Sequence, residues 1–285
     1  MKQYNNKAYL YMLPALALLV IFVFYPFVQT IIRSLYATDN MGVNTIFIGF
    51  KNYSDLLSSP SFWNSLKVSF IYVIIVVVIG VLLGFATALL CRVNFPAIRF
   101  FSAAYSLPIA IASSGMALVF KVMLNQSVGI LNIILKTNIN WLADPKWALV
   151  SVGVLTAWLN SGLNFLYFSS GLAGIDDSLY EAASIDGANS FNQFRHVTLP
   201  SVRPIMFFVV VTNIINAFQS FGQIKLLTQG GPGESTNVIV HDIYKNAFMN
   251  YRYGYASAES VVLFFIVMIL TILVFRTNGA KDASK

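Results

Sequence analysis

Charge is what this sequence has least of. Of 285 residues, 10% are Asp, Glu, Lys or Arg and 57% are hydrophobic, where ordinary soluble domains run at about a quarter charged and half apolar. Eighteen basic and eleven acidic side chains are too few to solvate the surface of a soluble chain of this length, which argues against a soluble cytoplasmic enzyme. The 24 Phe and a mean hydropathy of +0.71 argue equally against a disordered chain. Lipid is the expected solvent.

Other absences narrow the chemistry. The single cysteine, Cys91, allows neither an intramolecular disulfide nor a cysteine metal site. His196 and His241 stand far apart in polar stretches and suggest no metal or catalytic pair. No lysine follows a glycine, so the phosphate-binding pattern Gly-x-x-x-x-Gly-Lys-Ser/Thr is missing and the chain has no ATP-hydrolysing motif of that kind. The net charge of +7 comes from basic residues spread among loops, a distribution that fits contact with lipid headgroups and not with nucleic acid.

What is present is long apolar runs. About 20 helical residues cross the hydrocarbon layer, and six stretches qualify: 8–32, 68–90, 100–120, 147–170, 205–222 and 260–275. In the second, 16 of 23 residues are Leu, Ile, Val or Phe, a gross insertion bias of roughly 5 to 10 kcal/mol. Its Gly80 and Gly84 are spaced for close helix packing. The expected fold is therefore all-α, a polytopic bundle of six transmembrane helices forming one domain over 1–285. The first run is too long for a secretory signal and no small-x-small cleavage site follows it.

An even number of spans puts both termini on one side. Cytoplasmic termini would place Lys2, Lys7, Arg92, Arg99, Arg195, Arg203, Arg276, Lys281 and Lys285 inside. That is half of the basic residues, but the short Cys91–Arg99 connection and the two ends concentrate them where the positive-inside rule applies.

None of the six runs contains an Asp, Glu, Lys, Arg or His, so no ion-coupling relay is expected inside the membrane. The runs do contain amides, hydroxyls and rings. Asn213, Asn216, Ser220 and Gln223 fall within about an 80° sector at 100° per residue, with Gln219 beside them. Asn160, Asn164 and Tyr167 share a face in the fourth run. Neutral amides cannot face hydrocarbon cheaply. They either bond helix to helix or line a polar path, with Phe218 and Phe221 beside them suiting a neutral polyhydroxylated solute.

Between the fourth and fifth runs, the segment 176–200 reads as two short helices. Ser178 with Glu181 fits a capping box, Gly187 fits a left-handed stop, and Ser190 with Gln193 fits a second capping box before Pro200 ends the helix. Ala182 and Ala183 leave a low face, and Phe191 and Phe194 form an apolar underside.

The order Glu181-Ala182-Ala183, then Gly187, then Val197-Thr198-Leu199-Pro200 resembles the EAA loop of permease subunits in binding-protein-dependent ABC importers. Val197 departs mildly from the usual Ile. Leu227-Thr228-Gln229-Gly230-Gly231-Pro232, Thr236, Ile243-Tyr244, Ala247-Phe248 and, earlier, Phe50-Lys51-Asn52-Tyr53 are similar to segments of the maltose-type carbohydrate group, near permeases for multiple sugars and glycerol-3-phosphate.

This resemblance implies a type I importer permease bundle in a prokaryotic cell membrane, with no cofactor and no enzymatic activity of its own. It implies a second homologous permease as heterodimer partner, two cytoplasmic ABC ATPases carrying ATP and Mg, and an extracellular solute-binding protein. Glu181, Ala182, Ala183, Asp186, Gly187, Phe191, Phe194, Leu199 and Pro200 would form the coupling surface for the ATPase. Asn160, Asn164, Tyr167, Asn213, Asn216, Gln219, Ser220 and Gln223 are the candidates for the solute path. The alternative class is a passive facilitator for small neutral polyols.

Overall fold

The structure, a computed structural model, describes residues 7–92 and 96–282. Lys2 and Lys285, which bear on orientation, lie outside them. In chain order the elements are α1 (Tyr11–Ser34), the strands β1 (Tyr36–Thr38) and β2 (Asn44–Phe47), α2 (Lys51–Leu57), α3 (Pro60–Leu90), α4 (Ile98–Ala110), α5 (Ser113–Met123), α6 (Ile130–Leu135) and α7 (Pro145–Ala173). They continue with α8 (Asp177–Ile185), α9 (Ser190–Ser201), α10 (Arg203–Phe218), α11 (Gly222–Leu227), α12 (Ile239–Tyr244) and α13 (Tyr253–Asp282).

Among the described residues four helices, α1, α3, α7 and α13, are long and apolar enough to cross a membrane, and the count reaches six if each of two bent pairs is one span. The bends separate the structure from the simple run-counting of the sequence. The run 100–120 is two helices, α4 and α5, meeting at 102°. Pro108 removes a donor near the end of α4, and Ile111 and Ala112 are extended before α5 begins. The run 205–222 also stops early, because α10 ends at Phe218 and Phe221 leaves helical geometry before α11 starts.

The chain divides into two compact units, one holding residues up to Trp63 together with Asp242–Ile266, the other holding Asn64–His241 and the residues from Val267. In the first, the antiparallel pair β1 and β2 places Tyr36 opposite Phe47 and Ala37 opposite Ile46. Asn52 donates to the carbonyls of Ser34 and Tyr36, and the Gly254 N–H donates to Thr38 Oγ1. Only glycine fits at 254, where a Cβ would stand 2.3 Å from the Tyr36 carbonyl oxygen.

This unit also holds an acidic side chain that the apolar runs do not contain. Glu259 lies one residue before the run 260–275, but α13 begins at Tyr253, so the acid is inside the helix and fully buried. Asn246 Nδ2 donates to Glu259 Oε2 at 3.2 Å and reaches Asp242 Oδ2 at 3.5 Å. The expectation of spans free of Asp, Glu, Lys, Arg and His is corrected to that extent.

The second unit packs α3, α7 and α10 around Ala88, Phe165, Phe168, Leu172, Val202 and Val209. Gly80 and Gly84 of α3 face Asn164 of α7, and at Gly84 an added Cβ would come within 2.4 Å of the Asn164 Cβ. The glycine spacing is a close helix contact, tight at Gly80 and with no room for a side chain at Gly84.

Candidate functional site

The loop 176–200 lies wholly within the second unit and is a helix, a glycine turn and a second helix. Asp176, not Ser178, is the N-cap of α8: its side chain accepts the Ser178 N–H at 2.9 Å, and the helix starts a residue before Ser178. That bond and one to the Ser178 hydroxyl hold the Asp176 carboxyl below its usual range. At the other end Gly187 sits at φ +78, its N–H bonds to the Ser184 carbonyl, and the Ala188 N–H bonds to the Ala183 carbonyl. This is a Schellman closure, in which the left-handed residue falls on glycine.

The second capping box does not form. Asn189 caps α9 by accepting the Asn192 N–H at 2.9 Å, which leaves the Gln193 amide to reach across the turn to Ser184 Oγ at 2.9 Å. Pro200 does not end the helix either. The Leu199 N–H reaches back five residues to the Phe194 carbonyl, so the helix widens by one residue ahead of the proline and continues to Ser201. The turn in direction comes at Val202, with 61° between α9 and α10.

Of the predicted coupling residues, Glu181, Ala182, Asp186, Gly187, Phe191, Leu199 and Pro200 are exposed and Ala183 is half-buried. Phe194 parts company with Phe191: its ring turns inward to Phe85 of α3, 6.2 Å between centroids, while Phe191 stays 66% exposed. Two exposed apolar residues join this surface without any motif to mark them, Leu179 and above all Ile185, 86% exposed beside the glycine turn. Acids and apolar side chains together are thus presented to whatever covers this surface.

The anchor of the loop has no signal in the sequence. Tyr180 Oη accepts from Arg92 Nη1 and shares a hydrogen bond with Thr198 Oγ1 at 2.8 Å, while the Arg92 guanidinium lies 4.2 Å from the Tyr180 ring centroid. One tyrosine therefore ties α8 both to α9 and to Arg92, two residues past the end of α3.

The polar faces divide into two groups. Asn164 and Asn213 are buried and exchange amide bonds between α7 and α10: Asn213 Nδ2 donates to Asn164 Oδ1 at 2.7 Å, and Asn164 Nδ2 donates to Asn213 Oδ1 at 3.3 Å. Ser220 Oγ is bonded to Tyr72 Oη at 2.9 Å and donates to Gln223 Oε1 at 3.1 Å, and Tyr72 Oη donates to Thr156 Oγ1 at 2.7 Å. Because α10 ends at Phe218, Ser220 and Gln223 do not continue the helical face of Asn213 and Asn216. Asn216 and Gln219 are exposed, and Asn160 and Tyr167 are half-buried, Tyr167 meeting Phe208 edge-on at 5.1 Å. Among the described residues no group of three or more His, Cys, Asp or Glu is placed to hold a metal.

Residues 8–280 match the sequence profile of the family described as binding-protein-dependent transport system inner membrane component. The chain belongs to that family. As one of these inner membrane components it is a membrane-embedded transport subunit. Among its relatives is the sn-glycerol-3-phosphate transport system permease protein UgpA of Agrobacterium fabrum, 35% identical over 94% of this chain and 93% of that one. Another is the lactose transport system permease protein LacF of Rhizobium radiobacter, 30% identical over 96% and 94%. The fold of this inner membrane component is similar to that in the crystal structure of a bacterial ABC transporter involved in the import of the acidic polysaccharide alginate. The TM-score is 0.83 at 20% identity, covering 95% of this chain and 94% of the other. A second structure of the alginate transporter, in complex with alginate pentasaccharide-bound periplasmic protein, gives the same score.

Proposed function

We propose that the chain is one of two permease subunits of an ATP-driven ABC importer for a carbohydrate or glycerol-3-phosphate. In this reading a solute-binding protein delivers the solute outside. Two cytoplasmic ATPases, carrying ATP and Mg, drive the cycle from inside, and both chain termini are cytoplasmic. The observation that carries the reading is the loop 176–200: an exposed acidic and apolar surface, closed rigidly at Gly187 and tied through Tyr180 to Arg92. A loop built this way transmits force, because a push on α8 moves Tyr180, and Tyr180 is bonded to both Arg92 and Thr198. Closure of the ATPase dimer would shift the paired permeases between inward-facing and outward-facing states.

Asn216 and Gln219 are the best placed of the polar candidates to meet solute or the second permease, being exposed where Asn164, Asn213 and Ser220 are occupied by one another or by Tyr72.

The test is copurification and uptake. Glu181→Lys should lose the ATPase subunits on affinity purification and abolish ATP-dependent uptake in proteoliposomes, while the two permeases still copurify. Solute uptake by the chain alone without ATP would establish the passive facilitator instead.

A further inference from the structure

The segment between α5 and α7 is a small folded unit built around one amide. Asn132 is buried, and its Nδ2 donates to the carbonyls of Gln126 and Ile139 at 3.0 and 2.9 Å. Its Oδ1 accepts from Thr137 Oγ1 at 3.0 Å, the Ile139 N–H at 3.3 Å and Trp141 Nε1 at 2.8 Å. Just upstream, Asn125 Oδ1 accepts the N–H groups of Ser127 and Val128. Gly129 occupies a place where a Cβ would lie 2.2 Å from the Asn125 carbonyl oxygen. Asn132 is thus turned inward with both ends of its amide satisfied, while Asn125, Gln126, Ser127, Thr137 and Asn138 stay at the exposed edge of the unit.

The apolar groups are turned outward. Ile130, Ile133 and Ile134, at i, i+3 and i+4, share one face of α6; the last two are 67% and 69% exposed, and the adjacent Val128 is 70% exposed. A helix against water presents the opposite arrangement. The unit is joined to α7 by Trp141, whose ring meets Trp147 edge-on at 5.2 Å. Trp147, Val150 and Val154 then form an exposed apolar stripe down a helix long enough to cross the membrane. Around the unit stand three exposed lysines, Lys121, Lys136 and Lys146, and between residues 121 and 147 the sequence has one acid, Asp144. Apolar side chains flanked by tryptophan rings and lysines are the composition of a segment lying in the headgroup layer.

We infer that residues 125–141 are an interfacial anchor, lying in the headgroup layer of the leaflet at the Pro145 end of α7, with Val128, Ile130, Ile133 and Ile134 in the acyl boundary and Lys136 among lipid phosphates. The occupant of this face is lipid and not a protein. The face continues the exposed stripe of α7 through the Trp141–Trp147 contact, and its cations match anionic headgroups. The anchor fixes the depth of α7 and thereby of the Asn164 contact below it.

The experiment uses the whole transporter with its natural subunits. A nitroxide is attached at Ile133→Cys, and separately at Ile134→Cys, in a Cys91→Ala background, and the complex is reconstituted in vesicles of phosphatidylethanolamine and phosphatidylglycerol. Collision with oxygen, which concentrates in lipid, should exceed collision with a water-soluble nickel chelate severalfold, and added binding protein should leave both unchanged. Collision dominated by nickel would overturn the inference, since the face would then be in water. A label screened from both reagents would also overturn it, by placing a second permease or the binding protein on that face. Should either variant fail to assemble, Val128→Cys reports on the same surface.

Discussion

Gly187 shows how much a single position can carry. An added Cβ there meets nothing within 4 Å, so substitution costs only the left-handed backbone at φ +78. That cost is about 1 to 2 kcal/mol for an ordinary residue, least for Asn and greatest for a β-branched one. Uptake by Gly187→Asn, Gly187→Ala and Gly187→Val should therefore fall in that order while the permeases still assemble. Equal uptake in all three would show that the turn is dispensable. The same position is legible in the sequence, because a glycine directly after an Ala-rich helical turn sits where a left-handed stop belongs. The caps are less legible. Asp176, Asp177 and Ser178 can all cap a helix, and the Ser178–Glu181 spacing points to the wrong one. Tyr180 is not legible, since its partner Arg92 is 88 residues away.

At the scale of elements, the junction of α3, α7 and α10 is a polar contact between apolar helices. Removing Asn164 leaves Asn213 buried with only its bond to the Val209 carbonyl and its Oδ1 unpaired, at about 1 to 3 kcal/mol, whereas removing both amides is nearly neutral. Thermal unfolding in detergent should show Asn164→Leu destabilised and the double variant with Asn213→Leu largely recovered. Additive losses would mean that the two amides do not act as a pair. Asn216→Ala should leave this midpoint unchanged and alter uptake, which separates the exposed amide from the buried ones. Helix existence in this region is readable from apolar runs, but helix ends are not. Counting 100° per residue past Phe218 places Ser220 and Gln223 on a face they do not share, and nothing between Ala217 and Phe221 is a glycine or proline to signal the break. The bond from Ser220 to Tyr72, 148 residues away, lies on that broken segment. The 102° bend after Pro108 is more readable, because a proline inside an apolar run is a visible breaker.

For the whole molecule, composition places the chain in lipid and the loop pattern places it in its family, both without coordinates. What composition does not reveal is the location of one acid. Glu259 lies inside α13, fully buried, and takes a hydrogen bond from Asn246. A carboxyl group in an isolated membrane helix is penalised by as much as roughly 2.5 to 3.5 kcal/mol near the bilayer centre and less toward an end. The segment Tyr253–Asp282, tested for insertion by itself, should therefore cross less efficiently than the same segment with Glu259→Gln, and the gap should narrow when residues from Asp242 onward are included. An unchanged gap would show that Asn246 does not relieve the acid. If the gap closes, the buried acid couples insertion to folding: α13 settles in the membrane only once Asn246 is in place to receive Glu259.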